Sequence, residues 1–132
     1  MRDFKQKHEK EIESLLKISQ QNLIDAKTLL ETGGYRSAVS RAYYMFLDLA
    51  KAALLTKDVI TRSHAGAVAK FGQIFVKSGI IKGDYGRAFR RALEIRFEAD
   101  YEALREFAKE EAEEVIKEAE DFFNEVKSKI FS

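Results

Sequence analysis

The feature that most constrains this chain is the absence of proline from its 132 residues. Proline breaks or kinks a helix, because it lacks a backbone N–H and its ring clashes with the preceding turn. The seven glycines are then the residues that most readily end a helix. Long helices can therefore run without interruption between a few turns.

Apolar residues recur at three- and four-residue steps along most of the chain, which is the spacing of one helical face. The predicted helices run from about Asp3 to Glu31, from Tyr35 to about Lys57, from Thr61 or Ser63 to Gly79, from Asp84 to about Asp100, and from about Leu104 to Ile130. The second helix is apolar around so much of its surface that we expect it at the centre. We predict an all-α single domain over residues 1–132, an up-and-down antiparallel helical bundle of four long helices plus one shorter helix.

Composition excludes several classes of function. With no cysteine there is no disulfide framework and no cysteine zinc site, and with two histidines and no Glu-x-x-His there is no di-iron bundle. We therefore predict no metal and no cofactor. The longest apolar stretch, Ala42–Leu55, contains Asp48 and Lys51 and is too short to span a bilayer. The N-terminus lacks the features of a signal peptide, so we predict a cytoplasmic protein without membrane association.

The charges are unevenly distributed along the chain. Residues 1–32 carry 6 basic and 6 acidic side chains, residues 33–100 carry 12 and 6, and residues 101–132 carry 5 and 10. One interpretation is an anion-facing surface on the middle segment, for a nucleotide or RNA. The other is that oppositely charged helices neutralise each other within one bundle or across a dimer.

Two sets of polar residues lie on helices that otherwise look buried. Arg96 and Asp100 fall on or beside the apolar face of the fourth helix, where a charge costs desolvation energy unless it is paired or has a function. A polar stripe on the second helix consists of Ser37, Arg41, Tyr44, Asp48 and Lys51. If the two helices are neighbours, one polar cleft is lined by Arg41, Tyr44, Asp48, Arg96 and Asp100. The alternative is an ion-pair network that holds the helices in register.

Arginine in such a cleft would bind phosphate or carboxylate through two parallel hydrogen bonds, but it cannot act as a general base. His64 lies at the predicted start of the third helix, where free N–H groups favour anions and disfavour a protonated imidazole. A neutral imidazole there would contact a phosphate or reach Arg96 from another helix. The alternative is a hydrogen-bonded capping residue.

Three segments together resemble one known family. The runs GYRSAVSRAYY (34–44), His64–Phe75 and RFEADY (96–101) are similar, in the same order, to the short stand-alone HEPN proteins of archaea and bacteria. HEPN stands for higher eukaryotes and prokaryotes nucleotide-binding. The resemblance covers about Ser14 to Val126 and implies a helical bundle, a homodimer and frequent pairing with a small nucleotidyltransferase. It also implies kinship with RNases and toxins that use an arginine followed four to six residues later by histidine at a dimer cleft.

The chain departs from that catalytic pattern. Arg96 matches the arginine, but residues 97–103 read FEADYEA and contain no histidine. Cleavage of RNA without a metal needs one group to take the 2′-hydroxyl proton and another to protonate the leaving oxygen. Aspartate and tyrosine, with ordinary pKa values of about 4 and 10, would need strong tuning for either role. The sequence therefore favours a protein that is not an enzyme, and the remaining catalytic candidates are Arg96, Asp100, Tyr101 and His64. Tyr101 also lies nearer to the arginine than the tyrosine that is adenylylated in toxins of the family.

Three hypotheses follow from the sequence. The first is a dimeric, non-catalytic module of a toxin–antitoxin-like pair, which binds a nucleotide, RNA or a minimal nucleotidyltransferase through the polar cleft. The second is a metal-independent RNase or toxin in which Asp100, Tyr101 or His64 replaces the missing histidine. The third is a structural homodimer whose polar stripe only sets subunit register. We favour the first.

Overall fold

The computed structural model describes residues 7–132, and the predicted first residue of the first helix, Asp3, lies outside them. The helices are α1 (Glu9–Glu31), α2 (Tyr35–Leu55), α3 (His64–Phe71), α4 (Gly83–Tyr101) and α5 (Lys109–Ile130). α3 continues directly into a π-helical turn over Gly72–Val76. No strand occurs between residues 7 and 132. The prediction of an all-α bundle with four long helices and one shorter helix is confirmed.

α2 lies at the centre of the bundle, as its apolar composition predicts. Of its 21 residues, 13 are buried, and it packs against α1, α3, α4 and α5. A helix can bury so much of its surface only if other helices cover several of its sides. The central position of α2 matters for function because its polar residues can reach side chains on α1, α3 and α4.

The core is built around five phenylalanines, each from a different element: Phe46, Phe71, Phe75, Phe89 and Phe122. Neighbouring rings in this cluster have their centroids 4.7 to 5.9 Å apart, in tilted, edge-on and stacked pairs. Such ring pairs add about 0.5–1.5 kcal/mol each beyond the burial of apolar area. The cluster therefore ties α2, α3, the π turn, α4 and α5 into one core.

Two of the predicted helix stops have the backbone conformation that favours glycine. Gly33 has φ +87° after α1, and Gly79 has φ +85° after the π turn. α3 is capped by Ser63, whose Oγ accepts a hydrogen bond from the Gly66 N–H at 2.9 Å. Ser63 was one of the two predicted caps, and the cap leaves His64, the first residue of α3, available for other contacts.

The predicted start of the last helix at Leu104 is wrong. α5 begins at Lys109, and residues 102–108 form an irregular connection in which Leu104 is 97% exposed. The connection is held in this path by the Arg36 guanidinium, which donates to the carbonyls of Glu102 and Arg105. The apolar periodicity therefore begins five residues before the helix does, because hydrogen bonds from Arg36 of α2 hold this backbone in a non-helical path.

Other helix boundaries also differ from prediction: α4 ends at Tyr101 rather than Asp100, and the third helix, predicted to run to Gly79, is α-helical to Phe71 and π-helical to Val76. α4 begins at Gly83 with Lys82 as its N-cap, so Asp84 is not the cap but pairs with Arg87 instead. α2 ends at Leu55 rather than Lys57, because the next residues form a tight turn in which the Thr56 hydroxyl donates to the Ala53 carbonyl at 2.5 Å.

Candidate functional site

Arg96 is the most deeply buried charged residue among those that the structure describes, with 8% of its surface exposed. It lies on the face of α4 that packs on α2, and its guanidinium is held from two sides. Nη1 donates to Oδ2 of Asp100 at 2.9 Å, one turn along the same helix. Nη2 donates to Nδ1 of His64 at 2.7 Å, across to α3. Its Nε–H is buried without a hydrogen-bond partner in the described part of the chain.

Two tyrosines of α2 lie beneath this guanidinium. The Cζ atom of Arg96 is 5.2 Å from the ring centroid of Tyr43 and 5.9 Å from that of Tyr44, both within the range of cation–π attraction. Burial raises the pKa of Tyr43 to about 12, so the phenol stays neutral. We call Arg96, Asp100, His64, Tyr43 and Tyr44 the Arg96 cluster.

The protonation state of His64 follows from its partner. Arginine has only N–H donors, so Nδ1 of His64 must accept, and the neutral ring carries its proton on Nε2. Burial and the positive charge of Arg96, with a smaller effect of Lys51, lower the pKa of His64 below its ordinary value of 6.5. His64 is therefore a neutral imidazole that reaches Arg96 from another helix, and Ser63 rather than His64 caps α3.

The polar stripe on α2 joins the Arg96 cluster through Arg41. The Arg41 guanidinium lies 5.5 Å from the ring centroid of Tyr44 and donates to Oδ1 of Asn22 on α1 at 3.3 Å. The amide of Asn22 in turn donates to Oδ2 of Asp48 at 3.1 Å. Burial raises the pKa of Asp48, an effect that Lys51 and Arg41 oppose. Arg41 and Asp48 are thus bridged by a buried amide.

The structure brings most of the predicted cleft together. α2 and α4 are neighbours, and Arg41, Tyr44, Arg96 and Asp100 form one continuous set of contacts to which Asp48 is linked by Asn22. Tyr101 is not part of it. Tyr101 is 67% exposed, and its ring centroid lies 4.9 Å from that of Phe97 on the outer face of α4.

Sequence reasoning missed three residues of this region: Asn22, Ser40 and Tyr43. Ser40 donates its hydroxyl to Oδ1 of Asp100 at 3.1 Å, so each carboxylate oxygen of Asp100 accepts one hydrogen bond. A signal for Asn22 was present, because it stands at helical spacing within the apolar series of α1 and is 93% buried. Tyr43 carried no such signal, since a tyrosine in an apolar arc is an ordinary core residue.

One cavity among the described residues lies apart from the Arg96 cluster. A cavity of about 530 Å³ opens between the α1–α2 turn and residues 103–107, and Arg96 is not among the residues that line it. Residues 7–132 contain no group of three or more histidine and acidic side chains placed to hold a metal ion. None of the helices described is both long enough and apolar enough to cross a membrane.

Comparison with known proteins agrees with the resemblance in the sequence. The family model described as "HEPN domain" matches residues 12–129. The chain is 44% identical over 117 residues to the Methanocaldococcus jannaschii protein named "Putative toxin MJ0605", a match that covers 89% of this chain and 87% of that protein. It is 35% identical over 122 residues to a Thermotoga maritima protein named "UPF0332 protein", covering 92% of each. This chain therefore belongs to the HEPN domain family.

Proposed function

We propose that this protein is a dimeric, non-catalytic HEPN module that binds the phosphate of a nucleotide or of RNA at the Arg96 cluster. In this proposal it is one half of a toxin–antitoxin-like pair whose other half is a minimal nucleotidyltransferase. The observation that carries the proposal is the state of Arg96. It is buried, its guanidinium is aligned by Asp100 and His64, and its Nε–H has no partner in the described chain.

The charges around the cluster favour an anion. Lys51 is near enough to affect both His64 and Asp48, and Arg41 lies on the far side of Tyr44. Three cations, Arg41, Lys51 and Arg96, therefore face two carboxylates, Asp48 and Asp100. Because three cations outnumber two carboxylates, an incoming phosphate would meet a net positive charge in a partly desolvated place.

The same geometry argues for binding rather than cleavage. A general base needs a free lone pair within reach of the proton that it removes. The lone pair of His64 at Nδ1 is occupied by Arg96, and each oxygen of Asp100 already accepts one hydrogen bond, from Arg96 or from Ser40. In this arrangement the Arg96 cluster offers donors to a phosphate, whereas hydrogen bonds to both candidate bases weaken them as proton acceptors.

Ligand-induced stabilisation tests the proposal. Millimolar ATP or GMP should raise the melting temperature of the wild-type protein, because a ligand that binds only the folded state stabilises it. Arg96→Lys keeps the charge but loses the rigid fork of donors, so its shift should be much smaller. Arg91→Ala is the matched control on α4, since it removes only an exposed pair with Glu118. The absence of any shift in the wild type would contradict phosphate binding.

RNA cleavage is a second candidate, favoured by the contact between His64 and Arg96. It places a histidine beside the arginine of the family pattern even though residues 97–103 contain none. Two relatives also carry the name "Putative toxin". If ligand binding frees Nδ1, purified protein should degrade RNA and lose that activity in His64→Ala. No cleavage of RNA from about pH 5 to 9 would rule this candidate out.

The homodimer of this proposal is supported by the outer face of α4. Phe97, Tyr101 and Leu104 are 56%, 67% and 97% exposed there and in the residues that follow. Arginines at 87 and 90 precede glutamates at 94, 98 and 102 along the same stretch of chain. Two copies packed with antiparallel α4 helices would bury these apolar residues and bring opposite charges together.

The nucleotidyltransferase partner can be tested directly. The product of an adjacent reading frame with nucleotidyltransferase motifs should co-purify with this chain when the two are co-expressed. Phe97→Asp and Arg96→Lys separate binding through the outer face of α4 from binding through the Arg96 cluster. Independent migration of the two proteins in gel filtration would argue against this partner.

A further inference from the structure

Arg36 connects the first turn of α2 to the point where α4 ends. Its Nη1 donates to the Ala99 carbonyl at 2.5 Å and to the Glu102 carbonyl at 3.4 Å. Its Nη2 donates to the carbonyl of Arg105. One guanidinium therefore binds three backbone carbonyls, from the last turn of α4 and from the irregular connection that follows.

α4 needs such a partner because its own sequence does not provide one. The last carbonyls of a helix lack intrahelical partners and form the negative end of its dipole. The last turn of α4 contains no basic residue. Arg36 supplies both the hydrogen bonds and the positive charge from a different helix.

The connection after α4 is held on its other side by Arg105. The ring of Phe107 lies 5.2 Å from the Arg36 guanidinium and 4.1 Å from that of Arg105. Arg105 also binds the Glu111 carboxylate through both of its Nη atoms. Residues 102–108 are therefore anchored to α2 and α5 at once, which fixes the residue at which α4 ends.

The end of α4 matters because Asp100 lies in its last turn. Asp100 follows Ala99, whose carbonyl Arg36 binds, and its carboxylate aligns Arg96. Ser40, one turn after Arg36 on α2, donates to the same carboxylate at 3.1 Å. Two residues of α2, one turn apart, therefore hold the last turn of α4. Arg36 binds its backbone, and Ser40 binds the side chain of Asp100.

We infer that Arg36 is a positioning residue for the phosphate site. By ending α4 after Tyr101 it keeps Asp100 against Arg96, and so keeps the Arg96 guanidinium aligned for a ligand. The inference deepens the proposed function and rests on it for the identity of the ligand. The alignment of Arg96 depends only on contacts within the chain and is measurable without any ligand.

The first test measures that alignment by NMR. The buried Arg96 Nε–H should give a ¹⁵N-resolved signal with slow hydrogen exchange, assigned by its absence from Arg96→Lys. Arg36→Lys keeps a charge but loses the planar fork whose two Nη atoms span the three carbonyls. In this variant exchange should be about tenfold faster, the size expected for one lost charge-assisted hydrogen bond. Arg62 is an exposed arginine in the α2–α3 connection, so Arg62→Ala is the control and should leave the exchange rate of the Arg96 Nε–H unchanged.

Arg36→Lys is chosen because Arg36→Ala would also remove packing on Phe107 and could unfold the region. Core methyl signals that match the wild type confirm that the fold is intact. A lower melting temperature with unchanged exchange at Arg96 would show that Arg36 only stabilises the chain, and would overturn the inference.

The second test uses GMP and ATP as probes. Where these nucleotides bind the wild type, Arg36→Lys should weaken their binding by about tenfold. In a protein that already carries Asp100→Asn, adding Arg36→Lys should cause no further loss of binding. Equal additional losses in both backgrounds would show that Arg36 does not act through Asp100. If neither nucleotide binds the wild type, the proposed function fails while the NMR result still decides the role of Arg36.

Discussion

At the scale of single residues, His64 gives the site its dependence on pH. Its pKa is lowered in the folded protein by burial and by Arg96, so the unfolded chain binds a proton at this position at a higher pH than the folded one. Stability is therefore lost as the pH falls below the ordinary value of 6.5, and it is fully present above that value. Protonation would also place two cations in contact.

We expect the melting temperature of the wild type to fall as the pH is lowered from about 6.5 to 5. That of His64→Gln should fall less over the same range, because glutamine does not take up a proton. Thermal unfolding followed by circular dichroism in a buffer series measures both slopes. Asp58, whose pKa is lowered chiefly by its hydrogen bond from His8, also loses stability as the pH falls, but only near and below 3.8, outside this range. Identical slopes for wild type and His64→Gln would show that this contact does not control stability.

Asn22 carries the bridge between α1 and α2. Asn22→Ala should destabilise the protein by about 1.5–3 kcal/mol, because it takes a donor from the partly buried Asp48 and an acceptor from Arg41. Gln21→Ala on the same helix is the control. It breaks only an exposed hydrogen bond to Asp25 and should change stability by less than about 0.5 kcal/mol. Urea unfolding measures both, and equal effects would contradict a structural role for the bridge.

The role of a single residue could be predicted from the sequence where its side chain is unusual for its position on a helix. Arg96 stood out because an arginine on an apolar face is unusual, and its pairing with Asp100 follows from their spacing of four residues. The contact between His64 and Arg96 was one of three alternatives for His64, beside a phosphate contact and a capping role, and only the structure shows that it forms. Tyr43 and Ser40 gave no sign of their roles, because both are ordinary residues at their positions.

At the scale of helices, the π turn after α3 offers a clean comparison of two glycines. A Cβ added at Gly72 or at Gly79 would meet nothing within 4 Å. Gly72 has helical backbone angles, with φ −59° and ψ −46°, whereas Gly79 has φ +85°. The two positions therefore differ in backbone strain and not in the space available.

Gly72→Ala should stabilise the protein by about 0.4–1 kcal/mol, because alanine loses less conformational freedom than glycine on entering a helix. Gly79→Ala should destabilise it by about 1 kcal/mol, since a side chain is strained at positive φ. Urea unfolding of the two variants measures the difference. Destabilisation by Gly72→Ala would mean that the π turn needs glycine for a reason other than backbone freedom.

Helix existence could be predicted from the sequence better than helix length. Glycine and Ser63 marked the ends of α1, the π turn and α3, because their effects are local. The start of α5 was misplaced by five residues, from Leu104 to Lys109. Residues 104–108 continue the apolar periodicity, but Arg36 binds their backbone from a helix nearly seventy residues earlier.

At the scale of the whole molecule, the exposed apolar residues of α4 and the connection after it predict the mode of association. The chain has a mass of 15.1 kDa. Light scattering should give twice that mass for the wild type, and Phe97→Asp should shift the protein toward the single-chain mass by placing a charge in the contact. Ile18→Asp is the control, because it changes a residue that is 50% exposed on α1.

A wild type that remains at the single-chain mass at high concentration would contradict the dimer. A dimer that survives Phe97→Asp and dissociates with Ile18→Asp would place the interface on α1 instead of α4.

The sequence by itself determined the all-helical architecture, the central position of α2, the family and the inward placement of Arg96. Each of these follows from periodicity, composition or a linear motif, and these are properties of a residue and its near neighbours in the chain. Only the tertiary structure decided that His64 meets Arg96, that Asn22 bridges Arg41 and Asp48, and that Arg36 ends α4. Such contacts depend on how helices rotate and pack against one another, which is set by many distant side chains together and leaves no periodic trace in the sequence.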